Sequence, residues 1–270
     1  MEPWNIDLLH DRTVITGGGS GIGQALAVEL ARLGGTSYVL GRREERLQQT
    51  VTLAEGAAGR VVPLVCDVRD PQDVENAFLQ VASDGGPAQA LVHCALSVPG
   101  YIAAKDITSE LFREVIDSVL IGAFNTIHGW SSALFEAELD GVAVALTSAI
   151  ASRGTPGIAH SSAGKAGVEA LVKSLAREWG PHGLRLNVVG PGFFPVERTR
   201  GMFDAGQAGS ALVELTALQR VGKIEEVVGP IVFLLTSAAS YITGQVLIPD
   251  GGFRLTPPVF PTWDFDGSDR

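Results

Sequence analysis

The chain is poor in cysteine. Its 270 residues include two, Cys66 and Cys94, too few for a disulfide framework, and neither belongs to a CxxC pair or a Cys/His cluster with metal-ligand spacing. No metal is expected. Both cysteines read as small apolar residues near strand ends. The sequence also lacks any run of like charge that would make a basic arm or acidic tail. With a formal charge of −10 and a pI ≈ 5.0, nucleic acid and anionic membrane surfaces are poor partners. No apolar stretch nears the roughly 20 residues that a membrane helix needs. Met1-Glu2-Pro3-Trp4 is neither basic nor followed by an apolar h-region, so no signal peptide and a cytoplasmic location are the expectation. Internal repeats and interdomain linkers are missing too.

What is present is a core. Hydrophobic residues make up 46% of the chain, and the length suits one large α/β domain. Seven short runs read as strands: Thr13–Thr16, Ser37–Leu40, Val61–Cys66, Ala90–Cys94, Val142–Thr147, Arg185–Val189 and Gln245–Ile248. They are apolar throughout, as strands covered on both faces are. Helical stripes lie between them, such as Ile22, Leu26, Leu30 and Leu33, or Val168, Leu171, Val172 and Leu175. Alternating β and α elements predict a doubly wound parallel sheet with helices on both faces, a Rossmann-type domain. Residues 1–252 are assigned to it. Residues 253–270, with Pro257, Pro258 and Pro261 and an acidic end, form a non-helical tail.

The first strand run ends in Thr16-Gly17-Gly18-Gly19-Ser20-Gly21-Ile22-Gly23 and a helix follows. Such glycines permit a tight turn, let backbone N–H groups approach a pyrophosphate, and place it at a positive helix end. Gly17, Gly19, Ser20, Gly21, Ile22 and Gly23 are therefore candidate nucleotide contacts. The second strand run ends Leu40-Gly41-Arg42-Arg43. A carboxylate there would suit the ribose hydroxyls of NAD(H). A guanidinium such as Arg42 suits a 2′-phosphate, which favours NADP(H).

These motifs resemble those of the short-chain dehydrogenase/reductase family. So do Cys66-Asp67-Val68, Asn187-Val188-Val189-Gly190-Pro191-Gly192, Tyr241-Ile242-Thr243-Gly244-Gln245-Val246 and Asp250-Gly251-Gly252. The likeness runs from about Arg12 to Phe253. It implies a seven-stranded sheet, a homo-dimer or homo-tetramer (with a hetero-oligomer as an alternative) and a small-molecule substrate. It also implies Asp67 near the adenine, Lys165 on the nicotinamide ribose, cofactor contacts at Ala95, Pro191 and Gly192, and a substrate lid at about residues 193–215. In that lid, Phe193, Phe194, Met202 and Phe203 would wall an apolar pocket.

The resemblance breaks at the reaction centre. The family's catalytic tyrosine falls at Ser161 and its helical asparagine at Val119. The fourth-strand motif reads His93-Cys94-Ala95-Leu96, and the threonine that would hold the carboxamide falls at Val196. Ser148 and Lys165 are kept. Ketone reduction leaves an alkoxide, and a lysine-tuned phenol can protonate it where a serine hydroxyl cannot. The leading expectation is therefore a non-redox step, such as cyclisation, elimination or isomerisation, with NADP(H) structural or not bound. Ser148, Ser161 and Lys165 would orient the substrate, with His93 or His160 for proton transfer. Two alternatives stand beside it: an NADPH-dependent carbonyl reductase with a substitute proton donor, and a non-catalytic nucleotide-binding subunit.

Overall fold

A computed structural model describes residue 8, residues 10–197 and residues 213–255. Seven parallel strands form one sheet in the order β3-β2-β1-β4-β5-β6-β7. They are β1 (Arg12–Thr16), β2 (Thr36–Gly41), β3 (Arg60–Val65), β4 (Ala90–His93), β5 (Gly141–Leu146), β6 (Leu184–Val189) and β7 (Val246–Leu247). The expected runs match these within about two residues. One expectation needs correcting. β3 is not covered on both faces: it is an edge strand, and Val65 is exposed. Its edge position also explains how it tolerates Pro63.

The helices divide between the two faces. On one side, α1 (Gly21–Arg32), α2 (Glu44–Leu53) and α7 (Glu225–Leu235) bury Leu26, Leu30, Leu47, Val227 and Ile231 against Ile15, Val39 and Val92. On the other lie α3 (Pro71–Ser83), α4 (Ser109–Ile116), α5 (Gly122–Ala137) and α6 (Ala159–Trp179). There Phe78, Ile127, Trp130, Leu134 and Val168 cover Val14, Leu91 and Leu186. Each buried leucine-sized side chain contributes about 1.5–3 kcal/mol. The sheet reverses its direction of growth between β1 and β4. In such sheets the crevice at that switch point, beyond the carboxyl ends of the strands, holds the ligand.

Two departures from plain helix shape the crevice. Between α4 and α5, Asp117–Ile121 forms a single π-helical turn, which inserts an extra residue into the ladder. Val119 lies in it, and its Cγ1 stands 3.0 Å from where a Cβ on Gly164 of α6 would sit. The second departure is at the far side. Phe194 leaves β6 and enters the core beneath Gly222, while Phe193 packs edge-on against Phe253 with ring centroids 4.8 Å apart. Phe194 thus seals the core rather than walling a pocket. Met202 and Phe203 lie outside the described residues, as does the tail beyond Leu255.

Candidate functional site

The crevice begins at the glycine turn. Gly17 has φ +68°, and a Cβ on it would touch the backbone of Cys94 and Ala95 at 3.0 Å. Only glycine lets the turn nest against the end of β4. A Cβ on Gly23 would lie 2.6 Å from the Gly17 carbonyl oxygen, so helix α1 can start under the turn only with glycine there. Ser20, the N-cap residue of α1, makes no side-chain capping bond, and the first turn of α1 holds no acidic residue. Its free N–H groups and positive helix end suit an anion.

Beyond the turn a pocket is lined by Gly17, Gly19, Ser20, Arg42, Arg43, Arg46, Asp67, Ala95, Leu96 and Ser118, among others. Six expected cofactor positions meet in it: Gly17, Gly19, Ser20, Arg42, Asp67 and Ala95. Gly21, Ile22 and Gly23 stand behind them as the first turn of α1. Pro191 and Gly192 lie at the end of β6, where Gly192 packs on Asp250, and do not line this pocket. Three arginines mark the adenosine end. Among the described residues, neither Arg42 nor Arg43 has a carboxylate partner, whereas Arg46 pairs with Glu197 at 3.0 Å. The Asp67 carboxylate is held by Arg69, chiefly through that guanidinium's hydrogen bonds, and so stays below the usual carboxylate range. Glycines that a side chain would clash with, an uncapped helix start and a cationic rim together fit the phosphates of a dinucleotide.

Outside this pocket's lining, α6 carries Ser161, Lys165 and Glu169 at four-residue spacing on one buried face; they are 4%, 9% and 8% exposed. Thr147, at the end of β5, donates to the Glu169 carboxylate at 3.3 Å. That bond draws the strand end, and Ser148 next to it, toward the same helix. The π-turn supplies a polar group that sequence spacing missed. Ser118, one residue before Val119, lines the pocket and accepts a hydrogen bond from the Ser97 N–H at 2.7 Å. Val119 itself is buried and apolar, and the polar side chain on this turn is Ser118.

The histidines are placed differently from the expectation that His93 faces the ligand. His93 ends β4 in register with Thr16 of β1, and its ring turns into the protein. Thr16 Oγ1 lies 3.0 Å from His93 Nδ1 and accepts from the N–H groups of both Cys94 and Ala95. Thr16 thus anchors the ring through Nδ1, while Nε2 is buried with no partner among the described residues. Burial drives the pKa of His93 down to about 4. Neutral and enclosed, it braces the switch point instead of shuttling protons. His160 is fully buried in the first turn of α6, and burial lowers its pKa as well. Neither of its ring nitrogens has a partner among the described residues. Both cysteine thiols are pushed up to about 12, mainly by burial, which makes them inert.

His93 carries a stability prediction. Its folded pKa of about 4 lies below the ordinary 6.5, so the unfolded chain binds a proton that the native ring refuses. The associated stability is complete above pH 6.5 and is lost as pH falls through 6.5 toward 4, in all about 3 kcal/mol. His93→Asn removes that titration. Urea unfolding at pH about 4.5 and about 7 will show a smaller drop for the variant than for the natural chain.

The family profile described as enoyl-(acyl carrier protein) reductase matches residues 17–254. The chain belongs to this family of short-chain dehydrogenases/reductases. Among its relatives, the peroxisomal 2,4-dienoyl-CoA reductase [(3E)-enoyl-CoA-producing] of Pongo abelii is 34% identical over 258 residues, covering 93% of this chain and 87% of its own length. A Bacillus subtilis (strain 168) protein, named "Probable 2,4-dienoyl-CoA reductase [(2E)-enoyl-CoA-producing]", is 33% identical over 252 residues, with coverages of 92% and 98%. An Agrobacterium tumefaciens structure solved with bound NADP superposes with a TM-score of 0.85 at 28% identity, covering 93% of this chain and 99% of that one.

These relatives correct the functional expectation. Proteins matched along most of the chain are named as reductases, so a non-redox repurposed enzyme is overturned. No helix among the described residues is long and apolar enough to cross a membrane. The relatives' names, which include a peroxisomal enzyme, do not single out the cytoplasm.

Proposed function

We propose that the chain is an NADPH-dependent reductase of 2,4-dienoyl thioesters. The observation that carries this reading is the pairing of a buried hydroxyl, Ser161, with a buried ammonium, Lys165, on one face of α6 where a phenol would otherwise stand. The relatives' names give the substrate class. The reaction explains the missing tyrosine. Ketone reduction leaves a localised alkoxide that must be protonated on oxygen. Reduction of a double bond conjugated to a thioester spreads the charge into a dienolate. Its oxygen needs hydrogen bonds and a nearby cation, and a proton taken up from solvent ends on carbon.

The residues that would hold the dinucleotide are Gly17, Gly19 and Ser20 at the pyrophosphate, Arg42 and Arg43 at the 2′-phosphate, Asp67 and Ala95 along the adenosine, and Lys165 at the nicotinamide ribose. Bound there, the reduced nicotinamide supplies a hydride. Ser161 and Ser148 donate hydrogen bonds to the thioester oxygen, and the Lys165 ammonium stabilises charge building on it. Burial of Ser161 and Lys165 strengthens these interactions relative to water, while Ser148 is half-buried. Leu96 and Val119 keep that end of the pocket dry. His93 stays neutral and structural. Exposed Phe112, Ile121, Phe124 and Phe135 along α4 and α5 suit a homo-dimer or homo-tetramer.

The test is direct. Purified chain given NADPH and 2,4-hexadienoyl-CoA will consume both, will be slower with NADH, and will leave simple ketones unreduced. Brisk ketone reduction with an untouched dienoyl thioester would overturn the reading.

A further inference from the structure

Arg46 stands in the first turn of α2, directly on the phosphate-binding turn. A Cβ on Gly19 would lie 3.0 Å from the Arg46 Cβ. The buried Thr50 hydroxyl donates to the Gly18 carbonyl at 2.8 Å, which fixes α2 on that turn. From there the Arg46 guanidinium lines the adenosine end of the pocket beside Arg42 and Arg43 and reaches Glu197, 151 residues away in sequence, at 3.0 Å. The segment that brings Glu197 also brings Val196, whose side chain lies 3.6 Å from where a Cβ on Gly21 would sit. One ion pair therefore spans the mouth of the turn, from α2 to the stretch that follows β6.

We propose that Arg46 is a third ligand for the cofactor's 2′-phosphate and that Glu197 is its built-in competitor. The inference rests on the NADPH reading above. The pair's side chains are 36% and 65% exposed, and ion pairs in water are weak. The structure gives it a single N–O contact. A phosphate offers more charge and a bidentate match to the guanidinium fork, so it displaces the carboxylate. NADPH then releases Glu197 from α2, whereas NADH, with no 2′-phosphate, leaves the pair closed. Cofactor choice is thus set by an exchange of partners as well as by the arginines after β2.

Equilibrium titration with NADPH, NADH and adenosine 2′,5′-bisphosphate tests this without turnover. Glu197→Gln will tighten NADPH and the bisphosphate about two- to fivefold and leave NADH unchanged. Arg46→Gln will weaken NADPH and the bisphosphate about tenfold, again sparing NADH. In the Arg46→Gln background, Glu197→Gln will have no further effect. If Glu197→Gln moves both dinucleotides alike, or neither, the competitor role is wrong. If the unmodified chain holds NADH as tightly as NADPH, the NADPH reading itself fails, whatever the variants do.

Discussion

Lys165→Met will lower kcat/KM for dienoyl-thioester reduction by about 10²–10³. Lys165 lies on the buried face of α6, one turn from Ser161 and 9% exposed. A cation there acts in a setting where water screens little, so its effect on a developing oxyanion is large. Methionine keeps most of the side-chain volume and removes the charge. Ser161→Ala removes one neutral donor and will cost less, about tenfold to a hundredfold. Steady-state kinetics on both variants, with circular dichroism to establish folding, make the comparison. A loss below about tenfold for Lys165→Met would mean that the thioester oxygen is stabilised elsewhere.

Gly23→Val will abolish useful dinucleotide binding, with at least a hundredfold rise in Kd, and destabilise the fold by about 1–3 kcal/mol. The first added carbon already meets the Gly17 carbonyl oxygen at 2.6 Å. That oxygen belongs to the turn itself, so no flexible neighbour can yield. Either α1 moves off the turn or the turn opens, and both spread the N–H groups that would face phosphate. Gly229→Ala is the control. It lies exposed inside α7, ahead of Pro230 and away from the turn, so alanine there will leave nucleotide affinity unchanged. Calorimetric titration and urea unfolding read both quantities. Nucleotide affinity unchanged in Gly23→Val would remove the turn from the binding site.

The fold was legible because parallel strands buried by helices on each face leave apolar runs in sequence, as Val142–Thr147 does. The glycine turn was legible because its spacing reflects a backbone approach that side chains would block. Three features were not. The inward turn of His93 depends on Thr16, a partner 77 residues away whose hydroxyl binds three groups at once. The contribution of Ser118 depends on a π-turn, which no periodicity in Ser118-Val119-Leu120-Ile121 announces. The Arg46–Glu197 pair joins residues 151 positions apart in sequence. The error about reaction class had another source. Absence of a phenol favours a non-redox step only where reduction would leave an alkoxide; it does not argue against reducing a conjugated double bond.

The π-turn also limits how this protein could change. Val119 fills the space left by Gly164 on the neighbouring helix, so an asparagine installed there would press its amide into an apolar seam. A tyrosine installed at position 161 would meet a π-turn whose polar side chain, Ser118, is already engaged by the Ser97 N–H. A change of chemistry here would need the packing of two helices to change, because the π-turn sets how Val119 meets α6. Five residues of helix, wound one step too wide, thus constrain what the neighbouring helix can carry.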